Sequence, residues 1–135
     1  MFYVFPITTP ASTAETAKQK TTLKLTRGKI TQVQVHFPSG HVGLTHIGLN
    51  CGLHQFLPTN PEATFSSSGE TITITEDFAL ESGAFELEAW TWNEDTIYDH
   101  TITVRVQLET LPEQTSLVDE IKALLGIGQE EVSTA

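Results

Sequence analysis

Five histidines and one cysteine carry most of the chain's potential for chemistry: His36, His41, His46, His54, His100 and Cys51. Cys51 and His54 have a Cys-x-x-His spacing that suits a metal, with His41 and His46 nearby in sequence. A tetrahedral zinc site needs three or four such ligands converging at about 2.0–2.3 Å, and the spacing supplies no complete set. Cys51 beside His54 also has the residue types of a thiolate nucleophile and its base, but no accompanying pattern surrounds them. The second constellation is Trp90-Thr91-Trp92-Asn93-Glu94-Asp95, followed by Tyr98 and Asp99. On an extended strand Trp90 and Trp92 share one face, a stacking platform for a sugar ring or a protein hot spot. Glu94, Asp95 and Asp99 offer oxygen ligands to calcium, yet the glycine-bearing EF-hand frame is missing. Glu86 with Glu88, or Glu94 with Asp99, would be the carboxylate pairs for glycoside chemistry, and neither stands out from ordinary strand-face and turn acids. No phosphate-cradling glycine loop, HExxH helix or GxSxG elbow occurs. These observations lead to the expectation of a protein that is not an enzyme, with no catalytic residue, metal or cofactor. Its tryptophans are expected to be covered by the chain itself or turned toward a partner.

Charge narrows the partners further. The 135 residues carry 17 acidic and 7 basic side chains, a formal net charge of -10. A phosphate backbone is repelled by that field, so nucleic acid is not an expected partner. Residues 1–54 hold Lys18, Lys20, Lys24, Arg27 and Lys29 against Glu15 alone, which is +4 and leaves -14 for residues 55–135. If folding keeps the two groups apart, opposite poles would steer one subunit onto another. A lone cysteine excludes an internal disulfide. The segment Met1-Phe2-Tyr3-Val4-Phe5 has no basic leader, and no run of 18 apolar residues exists. Neither classical secretion nor membrane spanning is expected, which makes the cytoplasm the expected location.

The elements that position these residues are mostly strands. Threonine supplies 21 of the 135 residues, and its branched β-carbon favours a pleated surface. Met1 to Ile7 is a short apolar segment, expected as an edge strand or as an arm docking on a neighbour. Residues 8–20 contain Pro10 and few large apolar groups and read as a linker, with a short helix over Thr13–Lys20 as the rival. Period-two alternation then runs through Thr22–Thr26, Ile30–Phe37, Leu44–Asn50, Leu53–Leu57, Glu70–Thr75, Ala84–Trp92 and Tyr98–Glu109. Leu23 and Leu25, then Val33, Val35 and Phe37, then Ile47 and Leu49 fall on core faces. So do Ile72 and Ile74, Phe85, Leu87 and Ala89, and finally Ile102, Val104, Val106 and Leu108. Turns at these intervals predict an all-β antiparallel sandwich of about seven to eight strands, jelly-roll or immunoglobulin-like. The absent Cys-Trp-Cys spacing disfavours a true immunoglobulin domain.

The tail changes period. Ser116 suits an N-cap, Asp119 stands three residues on, and Gly126 suits a C-terminal stop. Leu117, Val118, Ile121, Leu124 and Leu125 form one helical stripe, too short to persist alone in water. The organisation expected is an arm and linker over 1–20, a sandwich over 21–110, and a short helix with a frayed tail over 111–135. Phe2, Tyr3, Phe5, Trp90, Trp92, Leu117, Ile121, Leu124 and Leu125 are the candidate contact residues.

Three stretches carry a resemblance: Phe37-Pro38-Ser39-Gly40-His41-Val42-Gly43-Leu44, Phe56-Leu57-Pro58-Thr59-Asn60-Pro61, and Trp92-Asn93-Glu94-Asp95. Their arrangement over residues 21–110 resembles small β-sandwich accessory proteins of phage or other viral particles. The resemblance implies a decorating, bridging or anchoring role, commonly in symmetric oligomers with extended arms, and a virion rather than the cytoplasm as the location if the protein is viral. The function expected is a structural or assembly protein forming a homo-oligomer or a larger protein assembly. A carbohydrate- or protein-binding module is the alternative.

Overall fold

Apolar residues on alternate positions of each strand gather into one shared core in the computed structural model, which describes residues 1–40, 42–81 and 83–111. The strands are β1 (Phe2–Thr9), β2 (Gln19–Lys24), β3 (Gly28–Phe37) and β4 (Thr45–Cys51), then β5 (His54–Leu57), β6 (Glu70–Leu80), β7 (Glu86–Asn93) and β8 (His100–Glu109). They pair antiparallel in two four-stranded sheets, ordered β1-β8-β3-β6 and β2-β7-β4-β5. The architecture is an all-β sandwich. β1 lies against β2 at one open side, where the Gln19 side chain donates to the Thr8 carbonyl at 2.9 Å. β5 lies against β6 at the other, where the Phe56 and Phe78 rings meet at 4.5 Å.

Most residues assigned inward from alternation are buried: Leu23 and Leu25, Val33, Val35 and Phe37, Ile47 and Leu49, Leu87 and Ala89, and the β8 row Ile102, Val104, Val106 and Leu108. Ile72, Ile74 and Phe85 pack on this core only half-buried. Ile30 is buried together with Val33, although three positions cannot share one face of an unbroken strand. A bulge resolves the conflict: against β8, Ile30 pairs with Leu108 and Gln32 with the adjacent Gln107, so Thr31 is an extra residue in β3. The extra residue resets the phase of β3, while β6 alternates without a break from Ile72 to Leu80, beyond the Thr75 end that the sequence suggests.

The N-terminal segment is an edge strand. β1 pairs with β8 along its whole length, from Phe2 opposite Gln107 to Thr9 opposite His100. The sandwich therefore takes in residues that the sequence assigns to an arm, and Ile7 is part of its core. Met1 and Leu108 exchange reciprocal backbone hydrogen bonds at 2.6 and 2.7 Å. Alternation from that pair puts the backbone groups of Phe2, Val4, Pro6 and Thr8 on the free edge. Pro6 is tolerated there because its missing N–H is one that β8 does not need. The linker holds one short 3-10 turn, Glu15–Ala17, rather than a helix over Thr13–Lys20. The helix expected near the C-terminus, with Leu117, Ile121, Leu124 and Leu125, lies outside the described residues. Among the described residues no helix is long and apolar enough to cross a membrane.

Candidate interaction surfaces

Strand β7 turns Leu87, Ala89 and Thr91 into the core, so Trp90 and Trp92 share the opposite face of their sheet, as the alternation implies. Register puts Trp90 between Lys20 on β2 and Gly48 on β4, and Trp92 beside His46. The two indoles differ in their cover. Trp92 is 6% exposed: the His46 ring stacks on it at 4.5 Å and 12°, and the Lys18 ammonium lies 5.0 Å from its centroid. Trp90 is half-buried, with Lys20 at 4.4 Å from its ring and its Nε1 donating to Glu88 Oε1 at 2.5 Å. The cover on Trp92 thus comes from this chain's own linker and β4. Among the described residues the indole N–H of Trp92 has no hydrogen-bond partner, an uncommon state for a buried donor.

Beside Trp90 the surface dips into a groove of about 170 Å³ lined by Lys18, Gly48, Asn50, Gln55, Glu62, Ala63 and Thr64. Gly48 sets the depth, because a Cβ there would stand in ordinary contact with the Ala63 carbonyl and the Thr64 methyl group. Gln55 holds the far wall. Its Nε2 donates to the carbonyls of Pro58, Asn60 and Ala63 at 2.7, 3.2 and 2.9 Å, and its Oε1 accepts from the Glu62 N–H at 3.0 Å. This residue carries no sequence signal, since a glutamine on a short strand looks like any solvated side chain.

The acidic turn after β7 is built around backbone N–H groups. Asp95 Oδ1 accepts from the Ile97 and Tyr98 N–H groups at 2.8 and 3.2 Å, and its Oδ2 lies 2.9 Å from His100 Nε2. Those hydrogen bonds, the Ile97 N–H first and then the His100 side chain, hold the Asp95 carboxyl below its ordinary pKa. Asp99 accepts from the Ala11 N–H at 2.9 Å. Buried Asn93 donates to the Thr9 and Tyr98 carbonyls and accepts from the Asp95 N–H. The turn therefore ties the end of β1 and the start of the linker to β7.

The histidines are dispersed. His36 meets Thr71 on the outer face of the β3–β6 pair, His46 stacks on Trp92, and His100 serves the acidic turn. His54 does pair with Cys51, across the β4–β5 hairpin, but His41 lies outside the described residues. Burial raises the Cys51 thiol pKa, which disfavours the thiolate that nucleophilic or metal chemistry requires. No group of three or more metal-ligating side chains converges among the described residues.

The remaining candidates lie on β1. Phe2 and Val4 are each 54% exposed on its outward positions, while Tyr3 and Phe5 stack at 6.1 Å and pack half-buried toward β2. Phe2, Tyr3 and Phe5 thus stand together at the β1/β2 side, and Trp90 and Trp92 occupy the adjoining sheet face. Comparison with known proteins finds no family model and no curated relative matching this chain.

Proposed function

We propose that this protein is a structural assembly module acting through subunit contacts, with a decorating or accessory role in a virion as its setting. The strand orders β1-β8-β3-β6 and β2-β7-β4-β5 are read as those of an eight-stranded jelly roll, an architecture used by viral capsid and lectin domains. Fold alone does not assign a role. The observation that carries the reading is the exposure of Phe2 and Val4 on a strand clamped along its length to β8. Large apolar groups held rigidly on a sheet edge are a contact surface whose cover costs little ordering entropy. Mass in solution tests it: the full chain should form an oligomer, and Phe2→Ser with Val4→Thr should lower its mass while the β-sheet spectrum persists. A strictly monomeric wild type at high micromolar concentration would end this reading.

The groove at Trp90 favours a second reading, a carbohydrate-binding module. An indole face beside amide, carboxylate and ammonium groups is the composition that recognises a hydroxylated ring. A glycan array tests it, with Trp90→Ala abolishing any specific signal; an empty array on folded protein removes the reading.

A further inference from the structure

We infer that copies of this chain associate side by side and head to tail, the β1/β2 side of one molecule seating on the β5/β6 side of the next. This rests on the assembly reading and names its partner as a second copy.

The first observation is an unfinished core. β5 has four residues and β6 has eleven. At roughly 3.3 Å per residue, β5 is about 13 Å long and can shield only part of a strand about 36 Å long. Ile72, Ile74 and Phe78 on β6 consequently stay half-buried, as does Phe56 on β5. Between the two strands lies a mostly apolar opening of about 450 Å³, lined by Cys51, His54, Gln55, Phe56, Thr59, Glu76 and Phe78. The opposite side of the sandwich also presents apolar surface: Tyr3 and Phe5 between the sheets, and Phe2 and Val4 outside them.

The second observation identifies the occupant. Sheet order places β1 and β2 on one side and β5 and β6 on the other. Residues 1–26 carry Lys18, Lys20 and Lys24 against Glu15, a net of +2. Residues 54–81 carry Glu62, Glu70, Glu76, Asp77 and Glu81 with no lysine or arginine, a net of -5. Within the fold Lys24 pairs with Glu86 at 3.3 Å and Asp77 with Lys29 at 3.5 Å, which leaves Lys18 and Lys20 on the β1/β2 side and Glu62, Glu70, Glu76 and Glu81 on the β5/β6 side, each side with an apolar strip. Opposite charge flanking apolar strips of this kind fits one side to the other and repels each side from its own copy. An isologous β1-to-β1 dimer would set lysines against lysines. Pro6 interrupts the free backbone edge of β1, so the contact is made chiefly by side chains rather than by a continued ladder. Contacts of two different patches propagate to a ring or an open filament instead of stopping at a dimer.

Charge reversal in the full chain tests this. Lys20→Glu with Lys24→Glu makes one variant, and Glu76→Lys with Asp77→Lys makes the other, circular dichroism confirming that both fold. Each alone should weaken self-association by about tenfold or more, with added salt weakening the wild type in the same direction. An equimolar mixture should regain the wild-type mass, because each reversed side meets its complement in alternation. Wild-type assembly by the Glu76/Asp77 variant alone would overturn the inference and leave the assembly reading standing. Failure of the mixture to regain mass would overturn it too, and a monomeric wild type would end both.

Discussion

Asp95 shows how a residue suited to one chemistry is committed to another. Three acids in six residues read from sequence as candidate calcium ligands, but Asp95 accepts from the Ile97 and Tyr98 N–H groups and meets His100, Asp99 accepts from the Ala11 N–H, and Glu94 lies 3.6 Å from His46. Such donors are backbone groups placed by the turn, so no side-chain pattern announces them. Because the folded pKa of Asp95 is depressed below an unfolded value of about 3.9, the unfolded chain binds the proton more readily. The stabilisation is full above that unfolded value and is lost as pH falls through the folded one. Asp95→Asn should therefore lower the melting temperature at pH 7, and the difference should shrink as the solution is acidified below the ordinary carboxylate pKa. A gap unchanged across that titration would show that charge is not what the turn uses. Gln55 makes a second test at this scale. Gln55→Ala removes the four hydrogen bonds that fix the 58–63 turn and should cost about 1–3 kcal/mol in denaturant unfolding. Under the carbohydrate reading it should also blunt any glycan signal, since it holds the groove wall.

Strands were visible in the sequence where one face is fully buried and the period is unbroken. β8 is the clearest case, with Ile102, Val104, Val106 and Leu108 all inward as alternation requires. Visibility failed where geometry departs from period two. The Thr31 bulge breaks the period of β3, Glu76 on an inward-parity position disguises the second half of β6, and β1 hides its membership because Phe2 and Val4 are as apolar as its core-facing residues. The linker contributes through polar contacts: Lys18 covers Trp92, and backbone bonds run from Ser12 to Asp95 and from Asn93 to Thr13. Nothing in composition marks which lysine lies over which ring. Gly28 is a constraint of the same scale. It opens β3 where a Cβ would stand 2.7 Å from the Glu109 carbonyl and 2.8 Å from Leu108 Cγ. The first obstacle is backbone and cannot rotate away, so Gly28→Ala must shift β3 against β8. A loss of about 1–3 kcal/mol is expected from thermal or denaturant melts. Stability equal to wild type would mean that the two strands slide freely at this end.

At the scale of the whole molecule, the chain order and the sheet order assign separate roles to the two sides of the sandwich. Early residues form one side and middle residues the other, while β8 and β7 run through the interior of both sheets. Ion pairs nevertheless join the two halves of the sequence, Lys24 with Glu86 and Lys29 with Asp77. The same order makes the first segment serve two purposes. Its outer residues, Phe2 and Val4, are free for a neighbour, whereas Ile7 is core, Tyr3 and Phe5 pack toward it, and Thr9 donates a buried hydrogen bond to Thr91 at 2.8 Å. An arm could be removed without harm to the domain behind it; this strand cannot. Deleting residues 1–10 exposes the β8 edge and uncovers Ile7's neighbours, at a cost of roughly 1.5–3 kcal/mol for Ile7 alone with the half-buried aromatics in addition. That total is a large share of the 5–15 kcal/mol by which single domains are commonly stable. The deletion is therefore expected to abolish cooperative thermal unfolding, or to lower its midpoint sharply. Substituting only Phe2 and Val4 should leave that midpoint near wild type while lowering assembly mass. If the deletion instead melts like the full chain and merely loses mass, β1 contributes nothing to the fold and acts as an arm. The paired outcomes separate the strand's inward work from its outward work within a single unfolding and sedimentation series.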